Sequence, residues 1–481
     1  MHATPVAEWL VRWRYPLAIL SLVLMLATSA GMQHLTFESD YKLFFRDTDP
    51  HLVAHEKMED TYTKSDSIAF LIGVDEGDLF TTDRLQVIAD LTEEMWRFPR
   101  AIRVDSITNF QHSEAQGEDD LKVYALFENP QSLSKKEIAR RRAIALNEIM
   151  LVNGRVSEDG RTTLVNTRLE MPETTAERDA ATLEIITLAR EMAQQIRSEH
   201  PDLIVHLMGL PVIDTAFNES TTQDIQTLFP LMFVVILVLS AILLRSVLGT
   251  LCVLGLIVFT VPTTLGTVGW ISIPLNQINV TAPSIIMTLC VCDAIHILLS
   301  HIQLQRQGMD KQRARIKALE INMQPVLLTS VTTAIGFLGL NFSDSPPFRE
   351  WGNFVAMGVM YAWLFSLCLL PALMGIVSVK TRQAQDGEGL SSLANLVLAH
   401  RKLFFWSGLT LAIAVIMWAP RNELTDSTYQ YFEPGVPVRD AADFLENRLT
   451  GFDPIAFSLP AGSANGVADP AYLHKLDQFA Q

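Results

Sequence analysis

Cysteine is scarce in this chain: four residues in 481, at positions 252, 290, 292 and 368, all inside apolar runs. The large polar stretch has none, so no disulfide framework holds it together. Cys290 and Cys292 sit two residues apart, which turns them to different sides of a helix, and no further ligand lies at metal-site spacing. They read as small packing residues, and no metal or other cofactor is expected. A phosphate-binding loop and a nucleophile–base constellation are also missing, and His51, His55 and His112 are scattered through the polar stretch. An enzyme is therefore not expected. Nor do Lys and Arg cluster as a nucleic-acid footprint requires. Charged residues make up only 19% of the chain against 49% hydrophobic ones, and the apolar residues come in long blocks. That balance describes an integral membrane protein.

The net charge of −16 is local. Residues 35 to 224 hold 36 acidic and 20 basic side chains, so the rest of the chain is neutral overall. Seven apolar segments surround that acidic stretch: Tyr15 to Gly31, Phe229 to Leu244, Leu248 to Trp270, Thr281 to Ile302, Pro325 to Phe342, Phe354 to Val379 and Leu403 to Trp418. Each is about long enough to cross a bilayer as a helix. The first has the charged flank and apolar core of a secretory signal, but an equivalent segment recurs deep in the chain, which favours a retained helix. With the N-terminus inside, the short inner segments collect twelve Lys and Arg residues, from Arg12 and Arg14 through Arg245 and the Lys311 to Lys317 stretch to Lys402. The short outer loops hold only Arg349. This asymmetry predicts a cytoplasmic N-terminus and an outer acidic domain.

Within the acidic stretch, Ser67 to Val74 and Ala101 to Ile107 read as strands, and Thr82 to Phe98 as a helix. Residues 109 to 157 are polar and mixed, with a helix expected around Ser134 to Leu151. Arg161 to Met171 alternates like a strand, Glu173 to Glu199 is helical, and Leu203 to Met208 is a final strand. The order strand, helix, strand, insertion, strand, helix, strand is that of a split βαβ, ferredoxin-like α+β domain.

The segment TAPSIIMTLCVCDAIHILLSHI carries one acidic residue, Asp293, near its middle. An ionised carboxylate at that depth costs a few kcal/mol even on lenient insertion scales, so it is expected to be protonated, paired or facing a polar cavity. His296 follows by three positions and Ser300 by seven, which predicts one shared polar stripe. The functional reading is a proton or ion relay; the plainer one is a polar patch that fastens neighbouring helices. Thr329, Thr333 and Gly336, with Thr332 and Gly339 overlapping, form a small hydroxyl-bearing stripe on the next span. Close helix packing accounts for it, with hydrogen bonding to protonated Asp293 as the alternative. Arg245 reads as a snorkelling residue, and Pro346-Pro347 as a break between helices. Phe229 and Phe233, flanking Pro230, read as interface anchors or, alternatively, as the lining of a lipid groove.

The chain also repeats itself. Arg14 and Arg401 each open an apolar span, and Ala69-Phe70 and Ala456-Phe457 each fall in an expected strand, both pairs 387 positions apart. LTFESDYKLFF from Leu35 matches LTDSTYQYF from Leu424 with a slip of two. A completed second copy would bring the chain to about 770 residues, so the sequence reads as stopping early in a second outer domain. The expected organisation is residues 1–34 as N-terminus and first span, 35–224 as periplasmic porter-like domain, and 225–379 as a five-helix bundle. A linker at 380–401, a seventh span at 402–420 and the start of a second periplasmic domain at 421–481 complete it.

One helix, a large outer domain and five helices, begun again, resembles the resistance-nodulation-division (RND) superfamily, specifically its MMPL-like exporter branch. The local matches are LLRSVLG at Leu243, DAIHILLSH at Asp293, PVLLTSVTTAIGFLGLNFS at Pro325 and LLPALMG at Leu369. Spans two to six also resemble a sterol-sensing domain. The resemblance implies half of a proton-motive-force-driven transporter in a bacterial inner membrane, with a sterol, hopanoid or fatty-acid-like lipid as substrate. It also implies an oligomer, or pairing with the missing half. Asp293 takes the place of the family's proton-coupling aspartate, with Leu289 where the family motif has glycine and Ala294 where it has tyrosine. His296 is then the expected polar partner. A non-transporting lipid sensor or assembly partner is the alternative.

The orientation is open to a direct test. In intact cells a cysteine introduced at Ala115 should react with a membrane-impermeant maleimide, and one at Gln312 should not. The reverse pattern overturns the topology.

Overall fold

The computed structural model describes residues 3–38, 41–62, 66–116, 120–172, 174–375, 388–422, 427–451, 456–463 and 465–480. In chain order they form α1 (Ala3–Arg12), α2 (Arg14–Ser29), α3 (Pro50–Thr61), β1 (Ser67–Gly73), α4 (Thr82–Trp96), β2 (Ala101–Asp105), β3 (Gln111–Gln116) and β4 (Asp120–Ala125). There follow α5 (Lys135–Ala145), β5 (Thr162–Leu169), α6 (Thr175–Glu199), β6 (Ile204–Met208), α7 (Leu210–Leu244), α8 (Val247–Trp270), α9 (Ala282–Arg306) and α10 (Lys311–Leu338). The series closes with α11 (Pro346–Cys368), the single turn α12 (Leu370–Leu373), α13 (Glu388–Ala399), α14 (Arg401–Trp418), α15 (Pro437–Arg448) and α16 (Pro470–Ala480). Two compact units result: Met1–Arg46 with Phe217–Asp426, and Asp47–Ala216 with Ser427–Gln481.

The first unit is helical. Among the described residues seven helices are long and apolar enough to cross a membrane: α2 with its continuation to His34, α7, α8, α9, α10, α11 and α14. Proline opens α11, where its missing N–H costs nothing. Helices α8, α9, α10 and α11 pack on one another around a core that includes Cys290, Ala294, Ile297, Leu298 and Phe365. Glycine sets the tightest contacts. A Cβ at Gly266 would collide with the Thr28 carbonyl, and one at Gly269 with the Gly31 carbonyl, so α8 lies backbone to backbone against the end of α2. Gly358 of α11 likewise leaves room for the Ile286 side chain of α9. By contrast α14 buries none of its residues. The first helix, α1, has no counterpart in the sequence expectation. It buries Ala7, Leu10 and Val11, which recur at helical spacing, and leaves Trp9 exposed, as is Trp13 in the turn that follows.

In the second unit the main sheet runs β2-β5-β1-β6, and all three pairings are antiparallel. Counting β5 and β6 as the third and fourth strands of the split βαβ, this is ferredoxin-like order, and the elements lie where the alternation and helical spacing predict. The insertion contains a hairpin, β3–β4, that the mixed composition of residues 109 to 157 conceals. Arg140 of α5 reaches Glu114 of β3 at 3.3 Å, while Glu137, hydrogen-bonded by Arg140 and Arg141, is pulled down to about 2.

The repeat is visible in the elements themselves. α2 and α14 start 387 positions apart, as do α3 and α15, and each of the latter two is a twelve-residue helix with proline in its first turn. Ala456 and Phe457, expected in a strand, have none: their stretch pairs with no segment among the described residues. Helix α15 instead lies on the sheet of the first copy. Ala441, Leu445 and Leu449 pack with Ala69, Leu71 and Met208. Ile68, Phe70 and Ile72 alternate to the opposite face, also buried.

His206 of β6 stacks obliquely on Phe444 of α15 at 5.0 Å. Burial holds its imidazole below the ordinary range, helped by Arg197 and then opposed by Asp440, with Arg448 adding to the depression. The folded state thus disfavours protonation, so its contribution to stability is complete above about 6.5 and is lost as pH falls below that value. Acidification from neutral pH should lower the thermal midpoint more in the parent protein than in His206→Phe. Parallel curves would show that the imidazole does not couple to the docking of α15.

Candidate functional site

Helix α9 turns about 100° per residue, so its buried positions trace an arc through Ile286, Cys290, Ala294, Ile297 and His301. Asp293 lies at one edge of that arc, with 7% of its surface exposed. There it faces α10, where the buried Ser330 hydroxyl donates to Asp293 Oδ2 at 3.3 Å. Two turns along the same edge, Asn322 Nδ2 of α10 donates to Ser300 Oγ at 2.8 Å and also to the Ala318 carbonyl at 2.8 Å. The two links stand seven residues apart on α9 and eight on α10, as expected for helices packed side by side. No Lys, Arg or His ion-pairs with Asp293 among the described residues, so its carboxyl is met by a neutral hydroxyl alone. A hydroxyl suits both protonation states, because it donates to a carboxylate and accepts from a carboxylic acid.

Several expected partners stand elsewhere. His296 is exposed and makes no hydrogen bond to Asp293. Spacing of three residues rotates it about 60° further from the centre of the buried arc, and because Asp293 is already at the edge, that step carries the histidine out of the bundle. The expected pairing of Asp293 with His296 is therefore replaced by Asp293 with Ser330. Ser300 does share the edge, as its spacing predicts. Thr329 and Thr332 are exposed and turn their hydroxyls back to the Val326 and Leu328 carbonyls of their own helix. Thr333 is half-buried, and a Cβ added at Gly336 or Gly339 would meet open space. The two glycines of the stripe therefore set no close helix contact, and the tight glycine contacts fall on α8 and α11. Phe233 is half-buried against the helical core, and Phe229 is half-buried one turn earlier.

Ser330 and Asn322 were not singled out from the sequence. The available signal was their spacing: polar residues eight apart on α10 match polar residues seven apart on α9 only when the two helices are aligned. His301 was also passed over. It is fully buried, and its Nε2 lies 3.0 Å from the Gln305 amide nitrogen. Cys290 is buried within 3.6 Å of the Thr260 hydroxyl, and Cys292 is exposed, on different sides of α9. Among the described residues no group of three or more His, Cys, Asp and Glu could hold a metal ion.

Asn322→Ala removes a buried donor and should cost about 1–3 kcal/mol. Thr332→Ala and Gly336→Ala should stay within about 0.5 kcal/mol of the parent. Thermal unfolding in detergent ranks the three, and equal effects would refute the assignment of the α9–α10 contact to the Ser300 edge.

Comparison with known proteins agrees with this architecture. A membrane protein from Methanocaldococcus jannaschii is 22% identical over 370 residues, covering 75% of this chain and 90% of the relative. Residues 51–417, from the start of α3 to the end of α14, match the model of the MMPL family. With a multi-helix bundle, a ferredoxin-like α+β unit and a buried carboxyl on the fourth span, the chain belongs to the MMPL family of membrane proteins.

Proposed function

We propose that this chain is the working half of a proton-motive-force-driven transporter that exports a hydrophobic lipid, of sterol, hopanoid or fatty-acid-like type, from a bacterial inner membrane. Membership of the MMPL family supports a transporter-type role. The observation that carries the proton-coupled reading is the solitary Asp293 carboxyl on α9, buried at mid-span and faced across the helix pair by Ser330. Protonation from the outer side would turn a hydrogen bond accepted by the carboxylate into one donated by the acid. The attraction between α9 and α10 then changes sign of donor and acceptor without losing its contact. Release on the inner side resets it. Intramembrane ionisable groups serve such relays far more often than they serve packing. A two-repeat carrier builds its substrate path between repeats, so transport would require a second copy or a complementary half.

The test is Asp293→Asn in the transport-competent assembly reconstituted in vesicles, with lipid efflux and proton entry followed together. Asparagine keeps the size and hydrogen bonding but cannot load and release a proton, so both fluxes should fall by at least about a hundredfold, nearly 3 kcal/mol. Folding should survive, because a buried charge has been removed and not created. Ser330→Ala should retain transport at a reduced rate. Normal transport by Asp293→Asn would make the carboxyl a structural fastener. Lipid binding without either flux in the parent protein would favour a sensor.

A further inference from the structure

A second polar cluster lies at the end of the helical unit where α1 meets α10 and α12, and the relay does not use it. Arg315, in the first turns of α10, is 5% exposed, and its Nε is buried with no hydrogen-bond partner. The Nε of Arg14, the first residue of α2, is in the same condition, although its Nη1 donates to the Val11 carbonyl at 2.9 Å. The Arg14 guanidinium lies over the Tyr15 ring at 4.5 Å, and its charge and that of Arg315 act on each other. His301, fully buried, has an Nδ1 with no hydrogen-bond partner and lies within the field of Arg315 and Lys311. Among the described residues neither arginine forms an ion pair with a carboxylate.

Such an arrangement is costly when empty. Like charges repel, and burying a guanidinium with its Nε unpaired forfeits part of its hydration. An anion with several acceptor oxygens would complete this cluster, and the fork of an arginine grips it best when it is a phosphate. Depth favours a lipid source. Trp9 on α1 and Trp13 at the α1–α2 turn stand exposed beside Arg12 and Arg14, and exposed tryptophans next to basic residues mark the boundary between hydrocarbon and headgroups. Basic pockets between transmembrane helices at that level take anionic headgroups.

We propose that Arg14 and Arg315, backed by His301, form a binding site for the phosphate group of an anionic phospholipid at the α1 end of the bundle. Bound lipid neutralises the arginine pair and fastens α1 to α10.

The full chain, purified in detergent and stripped of lipid, provides the test, with thermal unfolding and native mass spectrometry as readouts. Dioleoylphosphatidylglycerol should raise the thermal midpoint and be retained at one molecule per chain, while zwitterionic dioleoylphosphatidylcholine at equal mole fraction should do neither. Arg14→Gln and Arg315→Gln should each weaken the phosphatidylglycerol response at least tenfold, with Arg315→Lys intermediate. Without lipid, Arg315→Gln should melt no lower than the parent, because an unpaired buried charge is gone. A purely packing arginine predicts a lower midpoint and an unchanged lipid response, and that result overturns the proposal. If Arg315→Gln does not fold, Arg14→Gln, on a half-buried side chain, decides alone. Inorganic phosphate is the second arm. A rise with phosphate alone, abolished by the same substitutions, supports the anion site and assigns it a soluble occupant. No rise with either anion overturns it.

Discussion

The helical unit depends on how closely its backbones can approach. Hydrocarbon offers helices no hydrophobic reason to associate, so cohesion comes from van der Waals contact and a few interhelical hydrogen bonds. Gly31, Gly266 and Gly269 supply the first, because the absence of Cβ atoms lets α2 and α8 touch main chain to main chain. With α8 fixed, α9 and α11 close around it, Gly358 admitting Ile286. Only then does the edge of α9 meet α10 in a defined phase, and only in that phase do Asp293 and Ser330 become neighbours. The polar contact is a consequence of apolar packing laid down elsewhere.

That dependence explains what could be read from residues alone. Hydrophobic length locates the seven long apolar helices, and period-two or helical spacing locates each element of the ferredoxin-like order, because both signals are local. Asp293 stands out for the same reason, as a charge in an apolar run. Its partner does not. Choosing Ser330 over His296 requires the rotational phase of α9 against α10, and a shift of about 60° decides whether a side chain three residues away lies inside or outside the bundle. Glycine suffers the same ambiguity: Gly336 and Gly339 look like packing residues by composition, yet the close contacts belong to Gly266 and Gly269. Helix α1 escapes notice because it is too short to span a bilayer, and the β3–β4 hairpin because it is short and rich in polar residues.

The internal repeat behaves differently from either signal. An offset of 387 positions relates α2 to α14 and α3 to α15, but the copies have unlike surroundings. α2 lies against α8, whereas α14 buries nothing. α15, for its part, lies on a sheet built wholly from the first copy. Equivalent sequence thus meets non-equivalent neighbours, and resemblance between copies cannot be carried over to their contacts.

The position of α15 also has a bearing on biogenesis. Its seat on Ala69, Leu71 and Met208 is made of strands that leave the ribosome early, while α15 itself follows every membrane helix of the chain seen here. Throughout that interval an apolar sheet face stands uncovered, the kind of surface that invites mispairing in a slowly assembling, long-range topology. The α+β unit therefore cannot reach its final core as an early, self-sufficient folding event. Docking of α15 waits on synthesis of the bundle helices that precede it, and until then a holding chaperone would have its natural target on that open face.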